Sequence, residues 1–144
     1  MTGRPCPCGQ RVAPFDGDIR VLVVDDHPLV RSTLTELISD ESDLTVVGEC
    51  EDGSQVLEAV ERLQPDVVLM DLSMPGMNGL AATEALRAVR PEPRVVVLTA
   101  ESGVRSEVMA AGADALLPKD LRSAALLGCL RMVLVGCGCC PYCL

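Results

Sequence analysis

The strongest constraint on this chain is a repeated alternation of apolar runs with amphipathic stretches. The runs are "IRVLVVDD" (19–26), "LTVVGEC" (44–50), "DVVLMD" (66–71), "RVVVLTA" (94–100) and "DALLPK" (114–119). Their Val and Leu residues follow one another without polar alternation, as strands covered on both faces require. Between them, "PLVRSTLTELISDE" (28–41) carries Leu29, Val30, Leu34, Leu37 and Ile38 at helical spacing, and "GSQVLEAVERLQ" (53–64) sets Val56, Leu57, Val60 and Leu63 on one face. Further helices are predicted at "NGLAATEALRAVR" (78–90), near 103–111 and from about 121 to 135. Pro65, Pro91 and Pro93 follow predicted helices, Gly112 stands where a C-terminal cap is wanted, and Asn78 is placed to serve as an N-cap. Five strands alternating with five helices make a doubly wound α/β sandwich around a parallel sheet.

In such sheets the chemistry lies beyond the carboxyl ends of the strands, where strand order reverses. The first predicted strand ends in Asp25 and Asp26, the third in Asp71, the fourth in Thr99 and the fifth in Lys119. One Asp after a strand is ordinarily a turn former or helix cap. Polar groups at several such ends together point to a site. Carboxylates crowded there repel, and without compensation one is driven toward its protonated form. A divalent cation removes the conflict, and an all-oxygen donor set favours Mg²⁺ over zinc. Lys119 adds a fixed positive charge. An Asp carboxyl, with a reference pKa of about 3.9, is an ionised nucleophile at neutral pH and needs no general base. A phosphoryl group suits it as electrophile, because cations, hydroxyls and N–H groups can hold the charge that spreads over its equatorial oxygens. The product would be an aspartyl phosphate.

Composition removes other classes. A length of 144 residues suits one domain, and the net charge of −9 with 12 Lys and Arg argues against a surface for nucleic-acid phosphates. The two aromatic residues, Phe15 and Tyr142, lie in the terminal segments, so no base-stacking platform is expected and the core must be aliphatic. No run reaches the roughly 18 apolar residues of a membrane span, and the polar start lacks a secretory apolar region, which suggests a cytoplasmic protein.

The motifs "VLVVDDHPLVR", "VLMDLSMPGMNG", "VVVLTA" and "GADALLPKD" fall in order and in register over about 19–136, and with them the chain resembles the receiver domain of two-component response regulators. The resemblance implies a flavodoxin-like sheet of strand order 2-1-3-4-5. It implies Asp71 as phosphoacceptor and Mg²⁺ ligand, Asp26 as a direct Mg²⁺ ligand, Asp25 as a ligand through water, and the Ser73 backbone carbonyl as another ligand. Thr99 would hydrogen-bond the phosphoryl group and Lys119 would pair with it. Ser73 and Glu101 would tune how fast the phosphoryl is lost to water, and the small Ala100 leaves the site open. The implied donor is a histidine kinase or histidine phosphotransfer protein. The chain would act as a conformational switch on a downstream protein partner, with enzymatic chemistry confined to its own phosphorylation and dephosphorylation.

Two departures from the family pattern bear on the readout. Where receivers commonly place an aromatic in the fifth strand, this chain has Leu116, after Ala115. The "DDHPLVR" wording resembles the subfamily that usually continues into a DNA-binding helix-turn-helix, but this chain shows only "GCGCCPYCL" at that point. A stand-alone receiver and a fragment of a DNA-binding regulator are both consistent with that. The last predicted helix is apolar around much of its circumference, which suits either core burial or a face for a partner or a second subunit in a homodimer.

Of the eight cysteines, Cys50 and Cys129 lie centrally. The other six lie in a tail at 1–18, expected to be disordered, and a tail at 137–144. Both tails are expected to leave from the sheet edge opposite Asp71. Cys6, Cys8, Cys137, Cys139, Cys140 and Cys143 have spacings that suit zinc or an iron–sulfur cluster, or are simply oxidation-prone tail residues. His27, the one histidine, is read as packing or capping against a weaker role as phosphodonor or ligand.

Overall fold

A strand flanked by helices on both sides must be apolar in both directions, and the five runs form such strands. The computed structural model describes residues 4–5, 11–12, 18–72, 78–90, 92–100, 103–120 and 122–134. The strands are β1 (Ile19–Val24), β2 (Leu44–Cys50), β3 (Val67–Asp71), β4 (Arg94–Thr99) and β5 (Ala115–Pro118). The helices are α1 (Pro28–Ser39), α2 (Val56–Leu63), α3 (Gly79–Val89), α4 (Arg105–Ala111) and α5 (Ser123–Met132). The strands form one sheet, ordered β2, β1, β3, β4, β5, with every pair parallel. The predicted doubly wound sandwich of order 2-1-3-4-5 is therefore the fold. Strand order reverses between β1 and β3.

The two-residue period of the strands divides the core into two layers. Val21 and Val23, Val67 and Leu69, Val96 and Leu98, and Ala115 and Leu117 meet Ile38 of α1 and Leu126 and Leu130 of α5. Leu22 and Val24, Val68 and Met70, and Val95 and Val97 meet Val60 of α2, Leu86 of α3 and Val108 of α4. Each Val, Leu, Ile or Met among them contributes about 1.5–3 kcal/mol when fully buried.

One irregularity breaks the alternation. Val21 pairs with Val46 but Leu22 pairs with Gly48, so Val47 is an extra residue in β2. A bulge re-aims every side chain after it. Leu44 and Val46 join the α1 layer, whereas Cys50 joins the α2 layer. Glu49 is thereby turned to the α1 side, where its carboxylate pairs with Arg31.

The expected caps form at two helices. Asn78 Oδ1 accepts from the Ala81 N–H at 2.9 Å, and Gly112, at φ +98°, closes α4. His27 occupies the N-cap of α1, but its side chain makes no capping bond and is exposed, so its expected side-chain role is corrected to a backbone one.

Helical spacing left the depth of burial open at α1 and at α5, and the two helices differ. The apolar face of α1 is poorly covered: only Ile38 is buried, and Leu29 is 76% exposed. Conversely, α5 has Leu126, Leu127, Cys129, Leu130 and Met132 buried, so its apolar circumference is core rather than an open face. Helical spacing shows which residues share a face, but not how deeply a neighbouring element covers them.

Within the N-terminal segment expected to lack structure, Arg4–Pro5 pairs antiparallel with Arg11–Val12. The six terminal cysteines lie outside the described residues, and with them the zinc or iron–sulfur expectation. Among the described residues no helix is long and apolar enough to cross a membrane.

Candidate functional site

Strand register assembles the acidic pocket. Val24 pairs with Met70 across β1 and β3, so Asp25 and Asp71 are the next residues along two adjacent strands at the point of strand reversal. By the same two-residue period, both continue the rows that end in Val23 and Leu69. Carboxylate oxygens of Asp25, Asp26 and Asp71 all lie within 4.8 Å of one another. Asp25 and Asp71 are 1% and 3% exposed, while Asp26 is half-buried.

The cation arrives from the other side of the sheet. Thr99 pairs with Pro118, and the Lys119 N–H donates to the Thr99 carbonyl at 2.9 Å, which fixes Lys119 beside the end of β4. Its Nζ then reaches Asp71 Oδ1 at 2.9 Å. Partial burial alone would depress the ammonium pKa. The hydrogen bond to Asp71, with the charges of Asp71, Asp25 and Asp26, outweighs that and holds it above the ordinary lysine value.

Thr99 is buried and continues the row of Val95 and Val97, one position beyond the Asp71–Leu98 pair. The structure thus brings Asp25, Asp26, Asp71 and Lys119 together, with Thr99 at the neighbouring strand end. Ala100 is exposed at the rim, whereas Ser73 and Glu101 lie outside the described residues. Leu116, which stands where an aromatic is usual, is half-buried against the α2–α4 layer.

The turn carrying Asp25 is tightly constrained. Its N–H donates to the Cys50 carbonyl at 3.0 Å, and its Oδ1 accepts from the His27 N–H at 2.8 Å. Its Oδ2 is buried and has no hydrogen-bond partner among the described residues, an arrangement that costs stability unless something else satisfies the oxygen. Converging hard oxygen donors with one orphaned carboxylate oxygen fit Mg²⁺. Behind Asp71, Gly79 is required by close approach, because a Cβ there would sit 2.2 Å from the Asp71 carbonyl oxygen.

Sequence reasoning missed Arg31, whose Nη1 donates to the Asp25 carbonyl at 2.7 Å. The available signal was an arginine one turn into a helix that begins directly after the acidic pair. A groove of about 380 Å³ also opens beside Lys119, between α1 and α5, and is lined by Leu29, Val30, Leu34, Leu98 and Leu126.

Residues 21–131 match the family model described as the response regulator receiver domain. The nitrate/nitrite response regulator protein NarL of Escherichia coli (strain K12) is 42% identical over 118 residues, which are 81% of this chain and 55% of NarL. The chain therefore spans about half the length of that curated relative. The signal receiver domain of the NarL response regulator from Mycobacterium tuberculosis superposes with a TM-score of 0.79 at 32% identity, covering 85% of this chain and 100% of that one. The isolated REC domain of RcsB from Salmonella enterica serovar Typhimurium, solved in the presence of phosphomimetic BeF3⁻, gives a TM-score of 0.76 at 25% identity, covering 83% and 91%.

Proposed function

The chain belongs to the response regulator receiver domain family, and from that premise we propose that it is a phosphorylation switch whose phosphoacceptor is Asp71. The observation that carries this reading is the convergence of three carboxylates at the strand reversal with Lys119 paired to one of them. The presence of a phosphomimetic in the RcsB receiver structure supports the same chemistry here.

Asp71 sits at a rigid strand end, and a carboxylate oxygen there forms the new O–P bond as the donor's bond to phosphorus breaks. Lys119 balances charge on the acceptor and then on the transferred phosphoryl group, and Thr99, at the neighbouring strand end, would hydrogen-bond a phosphoryl oxygen. Asp25, Asp26 and Asp71 would hold Mg²⁺, which supplies charge neutralisation for the incoming phosphoryl group. The donor is a histidine kinase or a histidine phosphotransfer protein, and the apolar groove beside Lys119 suits its docking. Hydrolysis returns the switch to its resting state, so the chain acts on itself rather than on a released substrate. If these residues belong to a longer regulator, a DNA-binding output lies elsewhere in it, because this chain carries a net charge of −9.

Incubation with Mg²⁺ and a small acyl phosphate, followed by intact mass, tests the proposal. A single phosphoryl adduct that is absent in Asp71→Asn is expected. No adduct, or one that persists in Asp71→Asn, overturns the assignment.

A further inference from the structure

We infer that Arg31 is a positioning residue for the metal pocket: anchored by Glu49, it fixes the backbone of Asp25 so that one carboxylate oxygen faces a divalent cation. The inference rests on the proposed phosphorylation site and adds to it two residues that do not touch the phosphoryl group.

Asp25 is held at three of its four polar atoms. Its N–H donates to Cys50, its carbonyl accepts from Arg31 Nη1 at 2.7 Å, and its Oδ1 accepts from the His27 N–H. The remaining atom, Oδ2, is buried and has no partner among the described residues. A side chain pinned in this way cannot turn its orphaned oxygen elsewhere, so the constraint that costs stability in the metal-free protein also prepares a ligand.

Arg31 is itself fixed. Its Nε donates to Glu49 Oε1 at 3.0 Å, and its side chain is 17% exposed against 42% for Glu49. The fork of a guanidinium holds a carbonyl and a carboxylate at once, which the point charge of lysine does not reproduce. Glu49 reaches Arg31 only because Val47 is an extra residue in β2. In a regular ladder Glu49 would share the orientation of Thr45 and face the α2 side. The bulge, the glutamate and the arginine therefore act as one device that ties β2 and α1 to the turn between β1 and α1.

Charge and geometry predict opposite outcomes. By charge alone a guanidinium near three carboxylates opposes Mg²⁺, so its removal should tighten binding. By geometry its removal lets Asp25 relax and weakens binding. Mg²⁺ titration calorimetry on metal-stripped protein, with Mn²⁺ binding read by electron paramagnetic resonance, separates the two in Arg31→Met and Arg31→Lys. The lysine variant keeps the charge and loses the fork. Circular dichroism before titration confirms that each variant is folded.

The expected result is affinity weakened about tenfold in both variants, the low end of what partners behind metal ligands are worth. Unchanged affinity in Arg31→Lys, or tighter binding in Arg31→Met, overturns the role of Arg31 while leaving the phosphorylation site intact. Wild-type protein that binds neither ion overturns both readings.

Discussion

Lys119 Nζ lies 2.9 Å from Asp71 Oδ1, although Lys119 follows β5, Asp71 ends β3, and β4 runs between them. The pair bridges two strands across β4 and compensates part of the negative charge of Asp25, Asp26 and Asp71. Lys119→Met should lower the unfolding midpoint in EDTA, and it should tighten Mg²⁺ because a competing cation is gone. Phosphorylation should nevertheless slow about 10²-fold, the scale of losing one group that stabilises developing charge. Thermal unfolding with and without Mg²⁺, alongside the rate of adduct formation, checks all three. A rate equal to wild type would show that Lys119 only balances the resting pocket.

Two groups make the fold alkali-sensitive. Burial pushes the Cys50 thiol up to about 11, with the Arg62 charge opposing and Asp52 adding to the shift. Lys119 is also held above its ordinary value. Both folded-state pKa values are raised, so the folded chain binds these protons more tightly than the unfolded chain does. That stability is complete below the unfolded values. For Cys50 it declines from about pH 9 to about 11, at up to about 1.4 kcal/mol per pH unit. For Lys119 it is lost as pH rises through its own elevated value. Urea unfolding at stepped pH should show that decline, and Cys50→Ala should flatten the part below pH 11.

Gly79 gives a sharper packing prediction. A Cβ there would stand 2.2 Å from the Asp71 carbonyl oxygen and 2.9 Å from Leu72 Cα, both backbone atoms that cannot rotate away. Gly79→Ala should therefore cost about 1–3 kcal/mol and slow phosphorylation by displacing the strand end. Gly48→Ala is the control. Its Cβ would meet Leu63 Cδ1 at 2.5 Å, the far end of a flexible side chain far from Asp71 in register. Denaturation midpoints and phosphorylation rates for the two variants should diverge. Equal effects would show that crowding at Gly79 is not transmitted to Asp71.

The sheet and the candidate site were readable because a parallel sheet leaves a strong mark on sequence. Strands buried on both faces read as unbroken Val and Leu, and the register places polar residues such as Asp71 and Thr99 together at strand ends. What escaped depends on a single residue of register or on distance along the chain. Glu49 reads as an ordinary strand residue until the extra Val47 turns it toward Arg31. Periodicity identified the apolar faces of α1 and α5 but left core burial and an open face undecided for α5 and gave no depth for α1, because coverage depends on neighbours that a local pattern does not contain. Arg131 reads as a break in an apolar helix, and its partners lie 88 and 90 residues away.

Those partners carry the last prediction. Arg131 is 8% exposed near the end of α5. Its Nε and Nη2 bond the two oxygens of Asp43 at 2.7 and 2.8 Å, and Nη2 bonds Glu41 at 2.7 Å. The hydrogen bond to Asp43 is the largest influence on the guanidinium and raises its pKa against the opposing cost of burial. The Asp43 carbonyl also accepts the Ile19 N–H at 2.9 Å, so the contact joins α5, the loop after α1 and the start of β1. Removing one partner of a fully buried pair costs roughly 3–5 kcal/mol. Here the Asp43 and Glu41 side chains are 27% and 35% exposed and can rehydrate. Arg131→Met should therefore cost nearer about 2 kcal/mol, measured by urea unfolding. Adding Asp43→Asn should recover part of the loss, because it removes a negative charge that Arg131 no longer neutralises. Since this contact lies at the amino ends of the strands, Mg²⁺ affinity and Asp71 phosphorylation should stay at wild-type values. A loss in either would mean that α5 couples the two ends of the sheet.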